Sequence, residues 1–213
     1  MACYIMFRNR LDAGEQLAIK LKGHSSDNCI IYAIPRGGVP VAHQIAIFLN
    51  KPLELLIVRK LGSPWEEELA LGAVTEGDPP SFYLEQGMVR SLGMDAAAID
   101  DLISSRKKEI ERMQLLFRHG RKMLIEPDAT AIIVDDGIAT GSTIKAAVRF
   151  LRNVDQKRIV VAAPVADQTV VDELEKLADE VVCVNVVHGL YAVGEYYRDF
   201  SQLSDKEVME YLR

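Results

Sequence analysis

The run Ala131-Ile132-Ile133-Val134-Asp135-Asp136-Gly137-Ile138-Ala139-Thr140-Gly141-Ser142-Thr143 constrains this chain more than any other stretch. Four apolar, mostly β-branched residues predict a buried strand. Two carboxylates follow where that strand should end. A short turn comes next, with glycines at 137 and 141 and hydroxyls at 140, 142 and 143. Ile144 to Leu151 then has the spacing of an amphipathic helix. A strand, a small-residue turn and a helix start aim backbone N–H groups at an anion. Glycine lets the backbone approach it closely. An acid pair beside such a cradle makes sense if a divalent cation or ribose hydroxyls lie between them. An ordinary βα turn capped by Asp is the plainer alternative. A P-loop is excluded, because no Gly-Lys-Ser/Thr stands at the required spacing.

The same grammar repeats along the chain. Helices are expected over Asn9–Leu21, Val39–Leu49, Asp95–Phe117 and Asp167–Leu177, the last capped by Asp167. Strands are expected over Cys29–Ile34, Leu53–Val58, Arg158–Pro164 and Glu180–Val187. Ala70–Thr75 and Ser81–Leu84 suit a hairpin around Gly77-Asp78-Pro79-Pro80, and Ser204-Asp205-Lys206-Glu207 is a capping box opening a final helix. Alternating strands and helices predict an α/β fold, a doubly wound parallel sheet. Ligands of such sheets bind at the carboxyl ends of the strands. The turns after Ile34, Val58 and Val134 should therefore open on one edge.

The 213 residues suit a single domain spanning 1–213. With 31 acids against 25 bases the net charge is −6, which argues against a nonspecific nucleic-acid binder. It leaves room for a small phosphorylated ligand held locally. Cys3, Cys29 and Cys183 are odd in number and unpaired in spacing, as expected of free thiols in a reducing cytoplasm. No apolar run reaches membrane length, the start lacks a signal-peptide pattern, and no Cys/His cluster has zinc spacing.

Residues 132–143 resemble the phosphoribosyl-diphosphate (PRPP) signature of the type I phosphoribosyltransferases: four apolar residues, two acids, two mostly apolar residues, then small-Thr-Gly-x-Thr. The resemblance implies a Mg²⁺-dependent transfer of 5-phosphoribose from PRPP to a nitrogenous base, with release of pyrophosphate, in a cytoplasmic homodimer. It assigns Asp135 and Asp136 to the ribose hydroxyls and, through water or those hydroxyls, to Mg²⁺. It assigns Gly137, Ile138, Ala139, Thr140, Gly141, Ser142 and Thr143 to the 5′-phosphate. Hypoxanthine-guanine enzymes have an aspartate where this chain has Ala139, so a 6-oxopurine handled by that aspartate is not expected.

Pro35-Arg36-Gly37-Gly38-Val39-Pro40 is a second anion candidate: two glycines at a helix start, with the Arg36 fork beside them. A plain tight turn would look alike. In position it resembles the pyrophosphate loop of the family. Arg59-Lys60-Leu61-Gly62-Ser63-Pro64 and Gly72–Gly77 resemble the flexible loop and flanking strands (61–80) of adenine-type enzymes, in which a basic pair ends a strand. Arg59 and Lys60 are thus implied phosphate or pyrophosphate contacts, residues 61–70 an implied lid, and Glu76, with Lys60, Asp135 and Asp136, a candidate catalytic residue. Glu66-Glu67-Glu68 would equally suit a solvated surface excursion.

Residues 187–200 resemble the hood that covers the base in purine enzymes. Tyr191, with Ala192, is the expected base contact, because an aromatic face stacks on a planar ring. Tyr196, Tyr197, His43 and His188 are expected to be structural, and Trp65 is a further aromatic on the implied lid. The helical insertion 85–126 and Phe7-Arg8-Asn9-Arg10 lie outside the common pattern, as in a subgroup of the family without an assigned base. The insertion suits a dimer surface or part of the lid. A noncatalytic PRPP or nucleotide sensor of the same fold is the alternative function, and a nucleotide hydrolase reusing the site is a third.

Overall fold

The computed structural model describes residues 4–63 and 70–212. In chain order it runs α1 (Arg10–Lys20), β1 (Cys29–Ala33), α2 (Gly38–Leu49), β2 (Leu53–Leu55), β3 (Val58–Gly62), β4 (Ala70–Gly77) and β5 (Pro80–Leu84). The second half runs α3 (Gln86–Ser91), α4 (Ala96–Arg118), β6 (Thr130–Val134), α5 (Ser142–Asn153), β7 (Arg158–Asp167), α6 (Gln168–Leu174), β8 (Glu180–Val187) and α7 (Asp205–Tyr211).

Five parallel strands form the central sheet in the order β2-β1-β6-β7-β8. The expected α/β fold with a parallel sheet is what forms. Its register explains the continuous apolar strands. Ile31, Ala33, Ile132, Val134, Val160 and Ala162 face one side with α1, α2 and α4. Their neighbours Ile30, Tyr32, Ala131, Ile133, Ile159 and Val161 face the other, with α5 and α6. Successive side chains of a strand point to opposite faces, so a strand buried on both has no polar alternation. Among the described residues no helix is long and apolar enough to cross a membrane.

Caps fall where the sequence places them. Asp167 accepts a backbone N–H at its helix start and Ser204 with Glu207 completes a capping box, as expected; Asn9 and Asp95, expected only as first residues of their helices, act as caps as well. Cys29 is a buried free thiol, and burial pushes the Cys183 thiol up to about 11.

One expected strand is corrected. Leu53–Val58 does not run as a single element but divides between two sheets. Leu56 N–H still donates to Ala33 O of the parallel sheet at 2.9 Å, whereas Ile57 N–H donates to Glu76 Oε1 at 2.8 Å. From Val58 onward the chain pairs antiparallel with β4, and β3-β4-β5 make a separate three-stranded sheet. Residues 53–58 are almost all buried on either path, so apolar periodicity carries no mark of the switch. Arg59 and Lys60 accordingly lie inside a strand rather than at its end. Of the implied lid 61–70, residues 64–69, with Trp65 and Glu66-Glu67-Glu68, lie outside the described residues, as does Cys3.

The end of α4 is clamped to both sheets by a buried charge cluster. Arg118, at the end of α4, donates to Glu54 of β2 and to both oxygens of Glu76 of β4. All three side chains are only 3% exposed. Arg121 and the Leu124 N–H complete the shell of Glu54, and Gln114 donates to Glu76 at 2.9 Å. The segment after β8 packs on the chain start: Phe7 N–H donates to Tyr196 O and Arg198 N–H to Phe7 O, both at 2.9 Å.

Candidate active site

A cavity of about 670 Å³ opens beyond the carboxyl ends of β1 and β6, and the turns after Ile34, Val58 and Val134 all contribute to it. Three pieces of backbone hold the signature turn in place. Ile138 N–H donates to Val165 O, and Asp167 N–H donates back to Ile138 O, both at 2.9 Å, which extends the β6–β7 pairing past the strand end. Gly141 sits at φ +71°, a conformation that favours glycine, and caps α5 with no side-chain hydrogen bond. The first N–H groups of α5 are therefore left for solvent or an anion. Ala139, Thr140, Gly141 and Thr143 line the cavity, while Ser142 is buried and does not.

The acid pair is asymmetric. Asp135 Oδ1 accepts the Asp136 N–H at 2.9 Å and has no ion-pair partner among the described residues. Burial, and then the neighbouring Asp136 carboxylate, hold Asp135 well above the usual carboxylate range, with Lys60 pulling the other way. Asp136 Oδ2 accepts from Arg10 Nε at 2.8 Å, and the Asp136 carbonyl accepts from the Tyr197 hydroxyl at 2.6 Å. Asp135 is thus a half-buried carboxyl without an ion pair, which a cation or sugar hydroxyls would complement.

The Pro35–Gly38 loop closes against this pair. A Cβ on Gly37 would overlap Asp136 Oδ2, and one on Gly38 would come within 2.6 Å of Val134 O. The two glycines are required by close approach rather than by φ. Arg36 and Gly37 line the cavity; Gly38 is buried and starts α2. Arg36 is half exposed, with Nη1 3.7 Å from Asp205. Lys60 is exposed on the cavity wall. Arg59 also lines it, but its Nε lies 2.8 Å from Glu109 of α4 and its guanidinium reaches Met113. Burial lowers the Arg59 pKa against the Glu109 carboxylate.

The structure therefore brings together Asp135, Asp136, Gly137, Ile138, Ala139, Thr140, Gly141, Thr143, Arg36, Gly37, Arg59 and Lys60. It does not bring Glu76 there. That carboxylate is saturated by Arg118, Gln114 and the Ile57 N–H and borders a different cavity, so the candidate catalytic role is corrected. Tyr191 is 92% exposed and lines neither cavity. It follows Gly189, at φ +70°, in a turn held by Asp167, which swings the ring into solvent. Ala192 is exposed as well, and the segment after β8 meets the cavity instead through Val193, Phe200, Gln202 and Leu203.

Sequence reasoning missed Arg10, Arg106 and Glu109, all of which line the cavity. Arg106 and Glu109 form an i,i+3 pair at 3.4 Å within a charged helix face, a pattern shared by any solvated helix. Arg10 follows the Asn9 cap and carries no local signal at all.

A family model described as the phosphoribosyl transferase domain matches residues 7–198. A Mycobacterium tuberculosis (strain ATCC 25618 / H37Rv) protein named "Putative phosphoribosyl transferase" is 42% identical over 207 residues, covering 97% of this chain and 46% of that protein. A relative of the same name from strain CDC 1551 / Oshkosh matches to the same extent. The chain spans about half the length of these curated relatives. The crystal structure of TT1426 from Thermus thermophilus superposes with a TM-score of 0.81 at 33% identity, covering 98% of both chains.

Proposed function

The chain belongs to the phosphoribosyltransferase family, and on that premise we propose that it transfers 5-phosphoribose from PRPP to a nitrogenous base. The observation that carries this reading is the convergence, on one cavity, of an acid pair whose Asp135 has no ion pair among the described residues, the open first turn of α5 and the basic groups Arg36 and Lys60. In the reaction the acceptor nitrogen forms a bond to C1′ of the ribose, the C1′–O bond breaks, and pyrophosphate leaves with the bonding pair. The acceptor's N–H proton, where it has one, passes to solvent. The transition state is oxocarbenium-like, by analogy with glycosyl transfer. Little covalent chemistry falls to the protein, which positions the reactants and stabilises charge on the leaving group.

Asp135 and Asp136 hold the ribose hydroxyls. The N–H groups at 139–143 with the Thr140 and Thr143 hydroxyls hold the 5′-phosphate, and Arg36 with Lys60 meets the pyrophosphate. The donor set fits Mg²⁺ held through water or ribose hydroxyls, since Asp135 has no ion pair among the described residues while Asp136 is already paired with Arg10. When bound, Mg²⁺ would neutralise charge on the pyrophosphate. A cytoplasmic homodimer belongs to the same proposal, and light scattering reads the oligomeric state.

The test is turnover with Mg²⁺, PRPP and a panel of bases. Pyrophosphate release that depends on a base supports the transferase. Tight PRPP binding without release with any base points to the sensor, a reading favoured by the absence of Glu76 from the cavity. Phosphoribose release without a base points to a hydrolase.

A further inference from the structure

Arg10 opens α1 and belongs to none of the motifs that mark the site in the sequence. Its guanidinium carbon lies 3.9 Å from the centroid of the Phe200 ring. Nε donates to Asp136 Oδ2 and Nη1 donates to Ser201 O, each at 2.8 Å. The planar fork is thus fixed by the acid pair, the hood backbone and an aromatic face. The third nitrogen, Nη2, has no acceptor among the described residues. It is also absent from the fully buried polar atoms that lack a partner, so it remains within reach of solvent. Arg10, Val193, Phe200, Gln202 and Leu203 form the hood-side wall of the cavity.

A guanidinium has five N–H donors and no acceptor. Held this way, Arg10 presents donors to whatever group of the acceptor lies beside Asp136. A carbonyl or carboxylate oxygen there completes a charge-assisted hydrogen bond. An exocyclic amino group in the same place meets a cation to which it cannot donate. Loop residues of the adenine type do not decide this question, because their candidate base contact, Glu76, lies elsewhere.

We propose that Arg10 is a substrate-contacting residue that selects an acceptor bearing a carbonyl or carboxylate oxygen over one bearing an amino group at that position. The inference rests on the phosphoribosyltransferase reading. The experiment is calorimetry in Mg²⁺ with four probes: PRPP and the 5′-monophosphates of uridine, inosine and adenosine. The unsubstituted protein should bind the tighter of the two carbonyl-bearing nucleotides about ten- to a hundredfold more tightly than the adenosine nucleotide, the scale of one charge-assisted hydrogen bond. Arg10→Gln and Arg10→Ala should erase that margin. Equal or tighter binding of the adenosine nucleotide overturns the inference, and so does a margin that survives in folded Arg10→Ala. The comparison within the unsubstituted protein does not depend on either variant folding. If PRPP does not bind either, the phosphoribosyltransferase reading fails along with the inference. PRPP binding without the oxygen margin overturns the role of Arg10 alone.

Discussion

Arg10 and Asp136 stand 126 positions apart in the chain, yet Nε of one lies 2.8 Å from Oδ2 of the other. The two side chains are only 11% and 14% exposed, so water screens the pair weakly. This contact joins the first helix to the acid pair and, through Ser201 and Phe200, to the segment after β8. Arg10→Ala should lower stability by about 1.5–3 kcal/mol, the scale of a hydrogen bond between charged groups. Combining it with Asp136→Asn should cost less than the sum of the single changes, because both remove one interaction. Urea denaturation of the four proteins checks this, and strict additivity would show that the pair is not coupled.

The acid pair itself should matter to ligand more than to fold. Both residues sit past the end of β6, and Asp135 has no ion pair among the described residues. Asp135→Asn with Asp136→Asn should weaken binding of Mg-PRPP by about 1.5–3 kcal/mol per lost charge-assisted hydrogen bond while the circular dichroism spectrum is kept. Unchanged affinity in the folded double variant would remove these residues from the site.

Gly37 faces Asp136 too closely for any side chain. Gly37→Ala should push the loop away from the acid pair and reduce PRPP affinity at least tenfold, with a smaller change in thermal midpoint. Gly87→Ala, where a Cβ meets nothing within 4 Å, is the control that should alter neither.

Arg118 carries two buried carboxylates, Glu54 and Glu76. Arg118→Ala leaves Glu76 without a cation and Glu54 with Arg121 alone, and should cost about 3–5 kcal/mol, as expected when one partner of a buried pair is removed. Glu76→Gln should be destabilising as well, yet PRPP affinity should stay within twofold, since Glu76 borders the other cavity. A large loss of PRPP affinity in folded Glu76→Gln would restore it to the site.

Asp167 fixes the turn after β8. Its Oδ2 accepts the N–H groups of Gly189 and Leu190 at 2.9 and 3.0 Å, and Oδ1 accepts that of Thr169. The Leu190 N–H first, then Thr169 and Gly189, hold this carboxyl below its ordinary value. A depressed carboxylate contributes stability that is present above its unfolded pKa, about 4, and lost as pH falls through the folded value. Hydrogen exchange at Gly189 and Leu190 should therefore be slower in the unsubstituted protein than in Asp167→Ala at pH 7, with the difference fading below about pH 4. Equal exchange at pH 7 would mean that the turn holds itself.

Neighbours in the chain were enough to set the βα units and the starts of the helices, although α6 stops at Leu174 rather than at the expected Leu177. Caps such as Asn9, Asp95 and Asp167 act on N–H groups two or three residues away, and a fully buried strand needs an unbroken apolar run. The signature turn was legible for the same reason, because an anion cradle at a helix start is built from consecutive backbone groups. Long-range packing settled whatever depends on partners far along the chain. The switch of sheets at Leu56-Ile57 follows from hydrogen bonds to Ala33 and Glu76, which apolar periodicity does not record. Glu76 left the site because Arg118, 42 residues on, took its charge. Tyr191 left it because Asp167 bends the turn before it toward solvent. Arg10 entered it because the segment after β8 folds back on the chain start, bringing Phe200 and Ser201 to its guanidinium. Local pattern reports what a residue does to its neighbours in the chain, and a charge in a cavity answers to neighbours in space.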